Sequence, residues 1–224
     1  DFCLSRGLGD VYKRQEYSLL DGACRVEDLV LRVKELGMNS VAITDHGVMY
    51  GVVDFYKACK KEGIKPIIGC EVYTAARTRH EKQAGVDANQ GHLVLLAKDI
   101  EGYKNLLKIV SAGFTEGFYY KPRVDMELLE KYHKGLVALS ACLSGDVPKF
   151  LLRQDYEGAK MLALRYNEIF GPGNFYLELQ NNGIPEQAMV NQQLARMAGE
   201  TGIPMVITND AHYLAREDAR PHDI

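Results

Sequence analysis

The chain has 224 residues, 46% of them hydrophobic and 25% charged, with a formal net charge of -3; that suffices for one sizeable core and gives no broad cationic footprint for non-specific duplex binding, so any contact with nucleic acid is expected to be local. No apolar run approaches the roughly 20 residues that cross a bilayer, and the basic, apolar, small-residue order of a secretory signal is missing, which makes the cytoplasm the expected location. Five cysteines, Cys3, Cys24, Cys59, Cys70 and Cys142, are odd in number and never spaced as CxxC, arguing against a disulfide framework or a zinc ribbon and for core positions.

In chain order, the first fifteen residues, DFCLSRGLGDVYKRQ, show neither strand alternation nor a helical stripe. They read as a foreign segment ahead of residues 16–224 or as a frayed native terminus, and the absent Met and the ending at RPHDI make the chain read as a fragment. From Glu16 onward, short β-branched runs alternate with amphipathic stretches, the rhythm of βα repetition. The first helix is VEDLVLRVKELG, with Val26, Leu29, Val30, Val33 and Leu36 on one face and Gly37 as its C-terminal cap. SVAIT (Ser40–Thr44) predicts a strand, GVVDFYKACKKEG a helix closing on glycine, and PIIGCEVY (Pro66–Tyr73) a second strand. The polar, charged stretch from Thr74 to Gln90 is expected to be an exposed, mobile loop. Further strands are expected at His92–Ala97, Leu136–Ser140, Phe175–Gln180 and Pro204–Thr208, with a helix at QAMVNQQLARMAGETG before the last. Six strands, with a seventh lost near the N-terminus, fit a closed or nearly closed parallel barrel better than an open sheet, and no GxGxxG or Walker pattern supports a nucleotide crevice.

In such a barrel, chemistry gathers where strands end, because the βα loops converge on one face. Those positions hold Asp45 and His46, then Glu71, Cys142, and finally Asp210 and His212; Asp21 lies at a turn before the first helix. His92 opens its strand instead of ending it, so only a tilted or reversed local path would bring it to the same mouth. Singly, each has an ordinary role: Asp45 can cap a turn and is left outside the ligand set, Asp21 can start a helix, His46 can be structural and Cys142 can be core. His80, His133 and His222 sit in polar surroundings and carry no assigned role. Imidazole nitrogens beside carboxylate oxygens suit zinc, manganese or iron, and more groups gather here than one tetrahedral ion uses. The set therefore points to two or three divalent ions that activate water and hold phosphoryl oxygens.

The stretches EYSLLDGA, AITDHGVMYGVVDFYKACKKEGIKPIIGCEVY, GHLVLLAKDIEGYKNLLKIVS, FYYKPRVD, SACLSGDVP and ITNDAHYL resemble the PHP (polymerase and histidinol phosphatase) domain at the N-terminus of bacterial DNA polymerase III alpha subunits. The resemblance implies a distorted (βα)7 TIM-like barrel, a divalent metal centre of zinc, manganese, iron or magnesium ions, and ligand roles for Asp21, His46, Glu71, His92, Cys142, Asp210 and His212. It also implies a first strand ending in an HxH pair, where this chain carries Tyr12 and Arg14, and an arginine there opposes cation binding. For activity it implies a metal-dependent 3′-5′ exonuclease or phosphoesterase, with Lys121 and Arg123 holding phosphate oxygens. The parent chain would be a DNA-directed DNA polymerase contacting a primer terminus, a sliding clamp, a clamp loader and a proofreading exonuclease. Two alternatives stay open: a non-catalytic scaffold that stabilises the polymerase and docks the proofreading subunit, and a free-standing phosphatase of the histidinol-phosphate type.

Overall fold

A computed structural model describes residues 12–13 and 24–214. Among these, the strands are β1 (Tyr12–Lys13), β2 (Ser40–Ile43), β3 (Lys65–Thr74), β4 (Gly91–Ala97), β5 (Phe118–Tyr119), β6 (Lys121–Val124), β7 (Leu136–Leu139), β8 (Phe175–Gln180) and β9 (Met205–Thr208). The helices are α1 (Val26–Glu35), α2 (Val52–Glu62), α3 (Ile100–Thr115), α4 (Met126–Tyr132), α5 (Asp146–Leu152), α6 (Tyr156–Phe170) and α7 (Pro185–Thr201). All six expected strands are present, and two residues of the segment expected to be foreign, Tyr12 and Lys13, pair in parallel with Ala42 and Ile43. Asp21, Arg14 and His222 lie outside the described residues.

The sheet runs in the order β1-β2-β3-β4-β7-β8-β9, with β5 and β6 branching from β3. It curls around an apolar filling of Ala42, Val94, Leu139 and Ala141, against which Ile67, Leu96, Val137, Tyr176 and Val206 pack. The outer face meets the helices in two cores. One is built on Leu93, Leu95, Ile109, Phe175 and Leu194, and the other joins Val41 and Ile43 of β2 to Leu29, Val33 and Phe55 of α1 and α2. Strand alternation sorts these sets: in β4, Val94 and Leu96 point inward while Leu93 and Leu95 point to the helices.

An all-parallel sheet was the expectation, and β4 departs from it by running antiparallel to both β3 and β7. The remaining ladders of the main sheet are parallel. The rim where β2, β3, β7, β8 and β9 end is therefore the rim where β4 begins.

Two smaller corrections concern packing. Leu36, expected on the buried face of α1, is the C-cap residue and is exposed, while Gly37 beyond it takes the left-handed φ of 71°. The segment after Thr74 is tied down instead of loose. Arg77 pairs with the buried Asp87 at 2.5 Å, and Arg79 with the buried Asp125 at 3.0 Å. Arg123 lies in β6 and is fully buried. Its guanidinium donates to the carbonyls of Gly117, Asp87, Arg79 and Glu81 at 2.8–3.1 Å. With its donors committed to the backbone, Arg123 holds no phosphate, which corrects the role expected for it.

Replacing Arg123 by Ala strands these buried carbonyls. The substitution is expected to cost about 3–5 kcal/mol in urea unfolding, and to open residues 75–90 to limited trypsin digestion under native conditions.

Candidate metal centre

The centre is built by extending two ladders past the ends of their strands. After β2, Glu71 N donates to Asp45 O at 3.1 Å and Gly47 N to Glu71 O at 2.9 Å. This sets His46 opposite Glu71 in an isolated parallel bridge. Gly47 follows because its φ is 65° and a Cβ there would lie 2.8 Å from Pro122 and 3.1 Å from the Tyr73 ring. The His46 ring can thus stack on Tyr73 with centroids 5.7 Å apart.

His92 reaches the same place from the opposite direction. It pairs with Tyr73 across the antiparallel β3–β4 ladder and meets that ring edge-on at 5.3 Å. Its backbone N donates to Ser144 O at 3.0 Å, which seats the 142–145 turn on the start of β4 and leaves Cys142 Sγ 3.7 Å from His92 Nδ1. Gly91 is required beside it, since a Cβ would fall 1.7 Å from Asp146 Oδ1.

The result is a compact donor set. Glu71 Oε1 lies 2.6 Å from His92 Nδ1 and 3.8 Å from His46 Nδ1. The three residues offer ligand atoms that all lie within 4.8 Å of one another, with Glu71 buried and the histidines half-buried. Two imidazole nitrogens and a carboxylate oxygen at this spacing fit a zinc, manganese or iron ion. A cation held between Glu71 Oε1 and His92 Nδ1 would take both atoms as ligands. Just outside, the Cys70 thiol is pushed far up by burial and by the Asp45 and Glu71 carboxylates, so it stays neutral. Its sulfur donates to Asp45 O at 3.3 Å.

Of the seven residues expected as ligands, the structure brings His46, Glu71 and His92 together and sets Cys142 against His92. Asp210 and His212 follow β9 on the other side of the mouth. Asp210 takes a positive φ of 43° and its carbonyl lies 2.8 Å from His212 Nδ1. They do not share the tight cluster of the first three. Lys121, at the start of β6, holds its ammonium 5.3 Å from the centre of the Tyr73 ring, one ring away from both histidines. Arg123 points elsewhere, as described above.

One inward carboxyl went unread in the sequence. Glu178 on β8 is buried, and its pKa is pushed up to about 8, chiefly by burial, with the Asp210 and Glu71 carboxylates adding to the effect and the Thr208 and Gln180 hydrogen bonds opposing it. The usable signal is parity: in FYLELQ, Tyr176 packs on the interior filling, so Glu178 two residues later points inward too.

Comparison with known proteins places these features. The family model of the PHP domain matches residues 12–182. DNA polymerase III alpha subunits are similar over nearly the whole chain: that of Borreliella burgdorferi is 46% identical over 96% of this chain and 19% of its own length. That of Thermus aquaticus is 44% identical over 96% and 18%. The chain thus spans about a fifth of the length of these curated relatives. Among solved structures, a candidate metal-dependent phosphoesterase from Bifidobacterium adolescentis aligns with a TM-score of 0.55 at 12% identity, covering 94% of this chain and 89% of that one. An amidohydrolase from Chromobacterium violaceum aligns with a TM-score of 0.53 at 13% identity, covering 93% and 88%. At such identities the likeness shows the fold alone.

The Glu178 carboxyl makes a pH prediction. Its folded pKa of about 8 lies far above the ordinary glutamate range, so the folded chain keeps a proton that the unfolded chain gives up, and stability falls as pH rises from that range to about 8. Glu178→Gln removes this dependence. In thermal melts of chelator-treated protein, its Tm relative to the parent chain is expected to rise between pH 5 and pH 8.

Proposed function

Because the chain belongs to the PHP domain family, we propose that it is the PHP portion of a DNA polymerase III alpha subunit and that its mouth is a divalent-metal centre hydrolysing phosphodiesters at a 3′ terminus. The observation that carries this reading is the His46, Glu71 and His92 donor set within 4.8 Å, opening on the same rim as Cys142, Asp210 and His212. Asp21 completes the proposed ligand set by resemblance. Two or three ions of zinc, manganese, iron or magnesium would occupy it.

When bound, the cations supply Lewis acidity and an activated water for attack on phosphorus. The chain's own residues do the rest. Glu71, between two imidazoles, sets the spacing of the ligands and carries the negative charge that draws cations into a buried place. Tyr73 holds both histidine rings in orientation by stacking on one and meeting the edge of the other. Lys121, whose ammonium lies over the Tyr73 ring, would hold a phosphate oxygen of the incoming strand. In the parent chain the same domain would lie beside polymerase domains, with the primer terminus, sliding clamp, clamp loader and proofreading exonuclease as partners. Among the described residues no helix is long and apolar enough to cross a membrane, and the cytoplasm is the proposed location.

Glu71→Gln and His92→Ala are each expected to lower manganese-dependent release of nucleotide from a 3′-labelled single-stranded oligonucleotide by about a hundredfold or more. Lys121→Ala is expected to raise KM several-fold with little change in kcat. Release that persists unchanged in chelator, or in the Glu71 variant, would remove the catalytic reading.

A second reading, a non-catalytic scaffold, is favoured by one observation: Tyr12 opens β1 beside β2, where the resemblance calls for the first of two histidines. Restoring both, as Tyr12→His with Arg14→His, separates the readings. If the chain as it stands is a scaffold, metal content and turnover both rise from a low baseline; equal stoichiometry and turnover in the two proteins show that the pair is dispensable.

A further inference from the structure

Glu178 is not among the ligands that the resemblance assigns, yet it is built as one. It projects inward from β8, two residues past Tyr176 in the interior filling, at the level where the barrel turns polar. Its backbone N donates to Ser140 Oγ at 2.8 Å, fixing this part of β8 to the end of β7. Its Oε1 accepts from Gln180 Nε2 at 2.8 Å and from Thr208 Oγ1 at 2.5 Å. Gln180 is braced in turn from α7, where Asn191 Nδ2 donates to its carbonyl at 2.8 Å and Gln187 Nε2 to its side chain at 3.4 Å.

Two donors on one oxygen lock the carboxyl's rotation and leave the other oxygen to be satisfied from elsewhere. Oε2 is buried and accepts no hydrogen bond among the described residues. A buried carboxyl oxygen without a donor carries a desolvation cost that a structural role does not repay. The electrostatic surroundings add to the cost, because the Asp210 and Glu71 carboxylates both act on Glu178. Like charges gathered out of water call for a cation.

We propose that Glu178 Oε2 is a further ligand of the metal centre, binding a divalent cation on the β8–β9 side of the mouth between Glu71 and Asp210. The inference rests on the metal-centre reading given above. An all-oxygen pair of Glu178 and Asp210 favours a hard ion such as manganese or magnesium at this position, in contrast to the imidazole-rich trio on the β3–β4 side.

The test is manganese binding by the full chain after chelator treatment, followed by calorimetric titration and by counting bound metal. Glu178→Gln keeps an acceptor for Thr208 and Gln180 and turns the other oxygen into an amide nitrogen that cannot bind a cation. It is expected to fold as the parent chain does and to lose one manganese equivalent, or to weaken it by about tenfold or more. Glu71→Gln is run beside it and is expected to disrupt binding at the histidine trio. If Glu178→Gln binds manganese as the parent does while Glu71→Gln does not, Glu178 is a structural carboxyl and the proposal is overturned with the metal centre intact. If both bind as the parent does, the metal-centre reading falls and the proposal with it. Should Glu178→Gln not fold, Glu178→Asp keeps the charge but withdraws the oxygens from the mouth; the same loss supports the proposal and unchanged binding overturns it.

Discussion

The antiparallel pairing of β3 with β4 is the constraint on which the centre depends. Its register sets Tyr73 opposite His92 and Glu71 opposite Val94. Because side chains alternate along a strand, Glu71, Tyr73 and His92 all fall on the inner face at the rim. A slip of one residue would turn His92 toward the helices and bring Leu93 into the mouth. The apolar run LVLL resists that slip, since Leu93 and Leu95 are buried against the outer helices and Val94 in the interior. Hydrophobic sorting thus fixes the geometry of groups that are not hydrophobic.

The same sorting explains why the mouth is electrostatically costly. Below it the barrel is filled by Ala42, Val94, Leu139 and Ala141, a filling that excludes water. Above it, Asp45, Glu71 and Glu178 are all buried. Carboxylates in such surroundings either find partners or keep their protons. Glu71 has an imidazole at 2.6 Å, while Glu178 has two hydrogen-bond donors and a pKa well above the ordinary carboxylate range. The fold therefore gathers buried carboxyl groups whose full ionisation together would be costly without cations.

Much of this was legible in the sequence, and the gaps have physical reasons. The strands could be read because β-branched runs bounded by turn residues carry their own period, and His46 and Glu71 followed from the rule that barrel chemistry sits at strand ends. His92 broke that rule in the sequence, and the reversal of β4 restores it in space. Strand direction is a tertiary property that no local window encodes. Arg123 was misread because an arginine beside a lysine looks like a phosphate clamp, whereas its real partners are carbonyls brought near only by folding. Glu178 lies within its strand and not at its end, so the strand-end rule passes over it; only the inward packing of Tyr176 shows that its parity points it inward. The segment after Thr74 looked mobile because its anchors, Asp125 and Arg123, lie dozens of residues downstream.

The anchoring of that segment by Arg123 has an evolutionary consequence. Main-chain oxygens are common to every amino acid, so a guanidinium that grips the backbone at Arg79, Glu81 and Asp87 reads the path of the chain and not its spelling. Substitutions across that stretch are therefore cheap where they spare the ion-paired Arg77, Arg79 and Asp87 and keep its length and course.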